Sequence, residues 1–140
     1  MNNLKIKNVI FCESIRAELG GKYTLLGASA PELTIPASAI PATISGSIFV
    51  TGIPQESGPF SVEIRITNPD KTKIIGGKLE GDFPAPALTS LAIGPMPLQI
   101  TKAGDYTFEW NFGGKKWTRL EKLIIKTTTE TLVSNPSSSA

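Results

Sequence analysis

Residues 98–126 carry the clearest alternation of apolar and polar side chains in the chain. Within them, residues 106–112 alternate aromatic and polar types, which places four aromatic side chains on one face of a β-strand and three polar ones on the other. The glycines at 113–114 predict a type I′ turn, because both central residues of that turn take positive φ. Counting outward from this turn pairs Trp110 with Trp117, a contact that contributes about 0.5–1.5 kcal/mol beyond burial.

The same count continued along the hairpin opposes Phe108 to Arg119, which is a poor core partner. We therefore expect a β-bulge near residues 118–120 that brings Leu120 to the aromatic face. With that bulge in place, Trp110 is a core residue of the hairpin, and the polar residues between the aromatic ones lie on its opposite face.

Several shorter runs before this hairpin also have the period of a β-strand. Residues 60–68 alternate regularly, residues 42–53 are rich in Ile, Val and Thr, and residues 9–12 form an unbroken apolar run typical of a strand covered on both faces. Only residues 13–19 have room for a helical turn or two, and they lack caps. Four prolines make residues 84–97 the least regular part of the predicted body.

These runs predict an all-β fold, a single antiparallel β-sandwich of about 7–9 strands that is Ig-like, C2-like or jelly-roll-like, with little or no helix. A chain of 140 residues has the size of one domain. We assign residues 1–126 to the sandwich. We assign residues 127–140, where the periodicity ends in a Ser-rich segment, to a flexible polar C-terminal tail.

The composition removes much of the usual catalytic chemistry. The chain has no histidine and one cysteine, Cys12, which excludes Ser-His-Asp and Cys-His catalysis, histidine-based metal sites and an intrachain disulfide. Because Cys12 ends an apolar run, we interpret it as a buried, unreactive thiol. The three aspartates, Asp70, Asp82 and Asp105, are isolated in the sequence and give poor support for a metal site. We expect no enzymatic activity, no cofactor and no metal.

Charge and hydropathy narrow the possible partners. A net charge of +2 is too small to predict nucleic-acid or membrane binding, and no apolar run reaches the length of about 18 residues that a membrane helix needs. The first residues lack the pattern of a signal peptide, so we expect a cytoplasmic protein. The densest basic group surrounds an aromatic residue just past the predicted turn. It forms our candidate binding set, Lys115, Lys116, Trp117 and Arg119, for which a solvated hairpin tip is the alternative interpretation.

Residues 11–27 (FCESIRAELGGKYTLLG) are similar to the opening of a small, functionally uncharacterised bacterial family. Its pattern is Cys-Glu-x-hydrophobic-Arg-x-Glu-x-Gly-Gly-Lys-x-x-hydrophobic-x-Gly, and residues 102–108 (KAGDYTF) resemble its closing Gly-x-Tyr-x-Phe strand. The resemblance implies an all-β sandwich of unknown function and no catalytic residues. Independently of any family, the charges of Glu13, Arg16 and Glu18 beside a tight turn predict an ion pair that contributes about 0–1 kcal/mol.

Two functions remain open at this stage. The first is a non-enzymatic interaction or assembly module whose sheet edges accept another chain, the partner being another protein or a second copy. The alternative is a sandwich that binds a small ligand or a glycan with the proline-containing loops at residues 28–41 and 84–97. That alternative requires an exposed aromatic side chain beside a concave pocket.

Overall fold

The computed structural model describes residues 3–114 and 116–129, and these residues form ten β-strands. The strands are Leu4–Cys12 (β1), Ser14–Ala17 (β2), Tyr23–Leu26 (β3), Glu32–Pro36 (β4), Ala42–Pro54 (β5), Gly58–Thr67 (β6), Lys73–Phe83 (β7), Thr89–Ile100 (β8), Gly104–Asn111 (β9) and Thr118–Thr128 (β10). One 3₁₀ turn, Ala37–Ala39, is the only helical element in the described part of the chain. The predicted all-β fold is confirmed, with more strands than expected and with strand β2 in place of a helical turn.

The strands form two main sheets that share one apolar core. The three-stranded sheet has the order β1-β5-β8, and the five-stranded sheet has the order β4-β10-β9-β6-β7. Strands β2 and β3 form a separate two-stranded hairpin. Neighbouring strands are antiparallel except β4 and β10, which run parallel. The expected antiparallel sandwich therefore has one parallel edge, which the long stretch of chain between β4 and β10 permits.

The core consists of one face of each sheet. Tyr106, Phe108 and Trp110 of β9 are at most 2% exposed, so the predicted aromatic face of this strand is confirmed. From the other sheet, Ile48 of β5 and Ile100 of β8 are fully buried. We call the side of each sheet that faces this core its core side, and the opposite side of the five-stranded sheet its outer face.

The β9–β10 hairpin differs from the prediction at its tip. Trp110 pairs with Thr118, so the predicted Trp110–Trp117 pair is wrong. The count assumed a two-residue turn at the glycines, but the strands end at Asn111 and resume at Thr118. Asn111 donates a hydrogen bond from Nδ2 to the carbonyl of Gly114 (2.7 Å), which holds the first part of this longer connection.

The bulge predicted in β10 is confirmed. The pairing of β10 with β9 shifts between Arg119 and Glu121, and Leu120 between them is 8% exposed. The bulge adds one residue to β10 and thereby turns Leu120 into the core, where the aromatic face of β9 needs an apolar neighbour.

Residues 84–97, predicted as the least regular part of the body, are irregular only in part. Pro95 and Pro97 lie inside a strand, although its pairing shifts at Gly94 and Pro95. They belong to β8, which pairs with β5 and ends the three-stranded sheet. Proline is tolerated in an edge strand, because the hydrogen-bond donor that it lacks is not needed on the open side.

The charged residues near the first turn form the predicted ion pair in part. Gly20 and Gly21 take φ values of 81° and 74° in the turn between β2 and β3. Arg16 Nε lies 2.9 Å from Glu18 Oε2 in an exposed pair, while the side chain of Glu13 lies elsewhere, against Gly27.

Strand β10 continues beyond the predicted end of the sandwich. Thr127 and Thr128 pair with Ile35 and Pro36 of β4, so the strand runs two residues past the boundary that we placed after Lys126. Of the rest of the predicted tail, Thr129 is exposed and residues 130–140 lie outside the described residues.

The opposite faces of β9 predict different costs of substitution. Trp110→Ala should lower the free energy of unfolding by about 3–5 kcal/mol, because it removes a buried ring and leaves a cavity. Thr107→Ala, on the half-buried outer face, should cost under about 1 kcal/mol. Urea unfolding of both variants measures the difference, and an equal or larger loss for Thr107→Ala would contradict this assignment of faces.

Candidate interaction surface

The structure describes three of the four predicted binding residues. Trp117 is half-buried, and its indole ring lies over the guanidinium of Arg65, with Cζ 4.1 Å from the ring centroid. Lys116 and Arg119 are exposed, and Lys115 lies outside the described residues. The binding role of these residues stays a prediction. The structure adds that Trp117 is partly covered by Arg65, which the sequence analysis did not single out.

Arg65 is held firmly on the outer face of the five-stranded sheet. Its Nε donates a hydrogen bond to Glu109 Oε1 (2.8 Å), and Thr67 Oγ1 donates to the same oxygen (2.9 Å). The side chains of Arg65 and Glu109 are only 17% and 19% exposed. The contact follows from the strand pairing, which places Arg65 of β6 directly opposite Glu109 of β9. Trp117 completes the cluster by a cation–π contact. We call these residues, Arg65, Thr67, Glu109 and Trp117, the Arg65 cluster.

The environment of Glu109 keeps its carboxyl group ionised. Burial by itself raises the pKa of Glu109. The hydrogen bonds from Arg65 and Thr67 and the positive charges of Arg65 and Lys73 outweigh burial, so the pKa lies below its ordinary value. The cluster therefore carries a charged pair at neutral pH that ties β6 to β9.

Strand β7 lies beside this cluster, at the edge of the five-stranded sheet. It is eleven residues long and, within residues 3–114 and 116–129, pairs with β6 alone. Ile74 and Ile75 are 47% and 61% exposed. The pairing places Ile75 opposite Arg65 on the outer face and Ile74 opposite Ile66 on the core side. Such an edge offers unpaired backbone groups together with apolar side chains.

The other edges of the two main sheets carry features that hinder pairing. Strand β8 contains Pro95 and Pro97, and β4 is five residues long and ends at Pro36. Strand β1 has a bulge after Ile6, and a bridge between Phe11 and the loop residue Ser29 covers its other end. Prolines, short strands, bulges and covering loops all protect edges against another chain. Strand β7 has a bulge as well, but it is eleven residues long, contains no proline and carries two exposed isoleucines.

Residues 73–83 show only weak alternation in the sequence, but their two adjacent isoleucines carry a signal. Two adjacent isoleucines in a strand must point to opposite faces, so Ile74 and Ile75 cannot both face the core. An isoleucine that faces away from the core on a solvated sheet is then a candidate contact residue. The sequence does not show that β7 is an edge strand. The edge position matters because it makes the exposed isoleucines accessible to a partner strand.

A cavity of 630 Å³ opens near the end of β1, lined by residues of β1, β4, β5 and the loop between β3 and β4. Phe11, Leu33 and Ile44 supply much of its apolar lining, and Glu13 and Ser45 supply polar groups. Its lining includes part of the first predicted binding loop, residues 28–41, but no residue of the second, 84–97. The aromatic residue in it, Phe11, is 4% exposed, so it forms part of the buried wall and is not a free stacking platform.

Cys12 is fully buried, as predicted, and burial raises the pKa of its thiol. Among the side chains in residues 3–114 and 116–129, no group of three or more cysteines and carboxylates is arranged to hold a metal ion. The same part of the chain contains no helix that is long and apolar enough to cross a membrane.

The position of Glu109 in the Arg65 cluster predicts a dependence of stability on pH. Because the folded protein lowers the pKa of Glu109, the stabilisation by its charge is complete at neutral pH and is lost as the pH falls through the lowered value. Glu109→Gln should therefore reduce the free energy of unfolding by about 1 kcal/mol near neutral pH and by much less in acid. Urea unfolding at several pH values measures this difference.

The matched control is the same substitution in an Arg65→Met background, where the loss at neutral pH should be smaller because the main partner of Glu109 is absent. A loss that is independent of pH would show that the charge of Glu109 does not contribute to stability through this cluster.

Solved structures resemble this chain only distantly. The chain is similar to the β-glucosidase from Listeria innocua in complex with isofagomine (TM-score 0.47, 7% identity) and in complex with glucose (TM-score 0.46, 8% identity). It is also similar to a β-glucosidase from Erythrobacter marinus (TM-score 0.41, 10% identity). The likeness covers 90%, 90% and 79% of this chain but only 16%, 16% and 18% of those chains. At these TM-scores it carries no argument about function.

Curated proteins give no match to this chain. A family model, in contrast, matches residues 7–125, which extend from within β1 to within β10 and so include both main sheets. This agrees with the expected membership of an uncharacterised family. The chain belongs to a family of unknown function (DUF6941).

Proposed function

We propose that this protein is a non-enzymatic interaction module that binds protein by strand addition at the β7 edge. The observation that carries the proposal is the exposure of Ile74 and Ile75 on an eleven-residue strand that ends the five-stranded sheet. In strand addition, main-chain hydrogen bonds supply affinity and side chains at alternate positions supply specificity. Strand β7 offers both kinds of contact along its open side.

The Arg65 cluster supports this proposal because it helps to order the β7 edge in the unbound protein. Strand β7 is paired with β6 along its length, and β6 is tied to β9 by the Arg65–Glu109 ion pair. A surface that is already ordered loses less conformational entropy on binding than a flexible one. Ile75 lies directly opposite Arg65, so the exposed apolar side chain adjoins the most firmly held part of the outer face.

The charges of β7 favour a polypeptide partner. Its charged side chains change sign along the strand, from Lys73 and Lys78 to Glu80 and Asp82. A partner strand with charges in the complementary order would meet an opposite charge at each end. A uniformly anionic partner, such as nucleic acid, would meet repulsion from the two carboxylates.

A photo-crosslinking amino acid at Ile75 tests the proposal in the cells that naturally make the protein. It should give a discrete protein adduct, identified by mass spectrometry, because Ile75 would contact the added strand. The same probe at Leu88 is the matched control, since Leu88 is 66% exposed but lies between β7 and β8. Adding Ile74→Lys should abolish the adduct, because a charge on the core side of an edge strand opposes pairing.

Adducts that are the same from both positions, or that survive Ile74→Lys, would contradict strand addition at β7. The absence of any adduct from Ile75 would contradict it as well.

The cavity near β1 favours a second candidate function, the binding of a small apolar ligand. Its volume of 630 Å³ is within the range of about 300–1,000 Å³ that is usual for ligand sites. Its lining is apolar in Phe11, Leu33 and Ile44, with the carboxylate of Glu13 as a polar group. The buried position of Phe11 favours an apolar ligand over a glycan, because stacking on a sugar needs an accessible ring.

Filling the cavity tests this second candidate. Ala28→Trp should reduce the fluorescence of bound N-phenyl-1-naphthylamine at least about fivefold, because the indole occupies the ligand volume. Ala87→Trp is the matched control, since Ala87 is also exposed, lies in the other predicted binding loop and does not line the cavity. Equal fluorescence in the two variants and the unmodified protein would exclude binding at this place.

A further inference from the structure

We infer that the partner of β7 is β7 of a second copy of this chain, paired antiparallel about a two-fold axis between Gly76 and Gly77. The inference rests on the proposed function of this edge and names its partner and its register. The result is a homodimer in which the two five-stranded sheets join into one continuous sheet of ten strands. The bulge, the charges and the exposed isoleucines of β7 each support this register.

A bulge at Gly76 divides β7 into two parts with opposite alternation. Strand β6 pairs on either side of Gly76 but leaves that residue without a partner of its own. Before the bulge, Ile74 lies on the core side and Ile75 on the outer face. After the bulge the alternation reverses, so that odd-numbered Leu79 lies on the core side and even-numbered Lys78 on the outer face. A Cβ added to Gly76 would point toward Met96 on the core side, 3.1 Å from its sulfur.

The reversal favours one register for two copies of β7. Side chains directly opposite each other in a sheet must lie on the same face, and a slip of one residue exchanges the faces. With the axis between Gly76 and Gly77, core-side Ile74 faces core-side Leu79 of the second copy, and the outer-face residues also face each other. A shift of one residue in either direction places core-side side chains opposite outer-face ones.

A shift of two residues matches the faces away from the axis, mismatches them beside it and gives poorer pairs. In one direction it opposes Lys73 to Lys78 of the second copy, and like charges directly opposite each other are destabilising. In the other direction it opposes Ile74 to Gly81, which has no side chain to cover the isoleucine. The register about the two central glycines is therefore the one that satisfies both the faces and the contacts.

The charges of β7 fit the same register. Lys73 lies opposite Glu80 of the second copy on the outer face, and the two-fold axis repeats this pair at the other end. Opposite charges across an antiparallel pair are favourable. Within one chain Glu80 also lies 3.7 Å from Lys78, in an exposed pair that water screens. At the axis itself only glycines meet, so no side chain stands where the two backbones approach each other.

The register also covers the exposed apolar side chains. Ile74, 47% exposed in the single chain, comes to lie beside Leu79 of the second copy, which packs against the edge of the core. Ile75, 61% exposed, comes to lie beside the aliphatic part of Lys78. Pairing of two edges is a small contact, so we expect a dimer with a dissociation constant of about 1–100 µM.

Charge exchange between two variants tests the register. Lys73→Glu places a glutamate opposite Glu80, and Glu80→Lys places a lysine opposite Lys73, so each variant alone repels its own copy at both ends. Each should raise the dissociation constant of the homodimer at least about tenfold, as measured by sedimentation velocity. An equimolar mixture should form a heterodimer with a dissociation constant within about threefold of the unmodified protein, because each of its two cross-strand pairs again joins a glutamate to a lysine.

Both positions are exposed, and circular dichroism checks that the variants keep the fold. Lys73→Glu also removes a positive charge that acts on Glu109, whereas Glu80→Lys does not, so the two variants must agree. Lys22→Glu is the matched control, since it makes the same charge change at an exposed turn of the separate β2–β3 hairpin and should leave dimerisation unchanged. A second measurement needs no charge change. The photo-crosslinker at Ile75 in the purified protein should attach to residue 78 or its neighbours in another copy.

The possible failures have different meanings. A protein that stays monomeric at about 1 mM overturns the inference, because even weak edges associate at that concentration. If Ile75 of that monomer still gives an edge-dependent adduct with a different protein, the proposed function stands. If it gives none, both fail. A dimer that ignores the charge changes, or a mixture that does not recover, overturns the register and the second-copy pairing with it.

Discussion

Tyr106, Phe108 and Trp110 place three large rings on one side of a single strand, and this area must be covered for the chain to fold. A sheet that is apolar on one face is stable only against another layer, and here the layer is the sheet of β1, β5 and β8. The contact between the layers includes aromatic rings, since Phe11 of β1 lies 6.0 Å from Phe108 between ring centroids. The position of each strand follows from this packing.

The chain passes from one sheet to the other directly before these rings. Strand β8 ends at Ile100 in the three-stranded sheet, and β9 begins at Gly104 in the five-stranded one. The hydroxyl of Tyr106 is buried and fixes this crossing, because it accepts a hydrogen bond from the Thr101 amide (3.2 Å) and donates one to the Lys102 carbonyl (2.8 Å). A buried phenol without such partners would be destabilising, so one residue fills the core and sets the path of the chain.

A sandwich that buries one face of each sheet still leaves strand edges open. Proline, short length or a covering loop protects three of the edges, whereas β7 keeps exposed isoleucines around a bulge. A bulge normally discourages indiscriminate pairing because it bends the strand and disturbs its alternation. The same bulge makes pairing specific when the partner strand has a matching bulge at the matching place. A second copy of β7 always has one.

The sequence by itself determined which way most side chains point. The faces of β6 and β9, the bulge that turns Leu120 inward and the burial of Cys12 all followed from the two-residue period and from the need for apolar core partners. These properties are local, so a short stretch of chain contains the information. The same period wrongly paired Trp117 with Trp110, and the basic residues around Trp117 did not show what covers its ring.

Only the tertiary structure decided which strands are neighbours. The parallel pairing of β4 with β10, the edge position that lets β8 hold two prolines, and the place of Arg65 beside Glu109 and Trp117 all depend on residues far apart in the chain. The period of a strand gives the face of each side chain but does not name the strand opposite. The open edge at β7 is a property of strand order, which is set when distant segments compete to cover the same aromatic core.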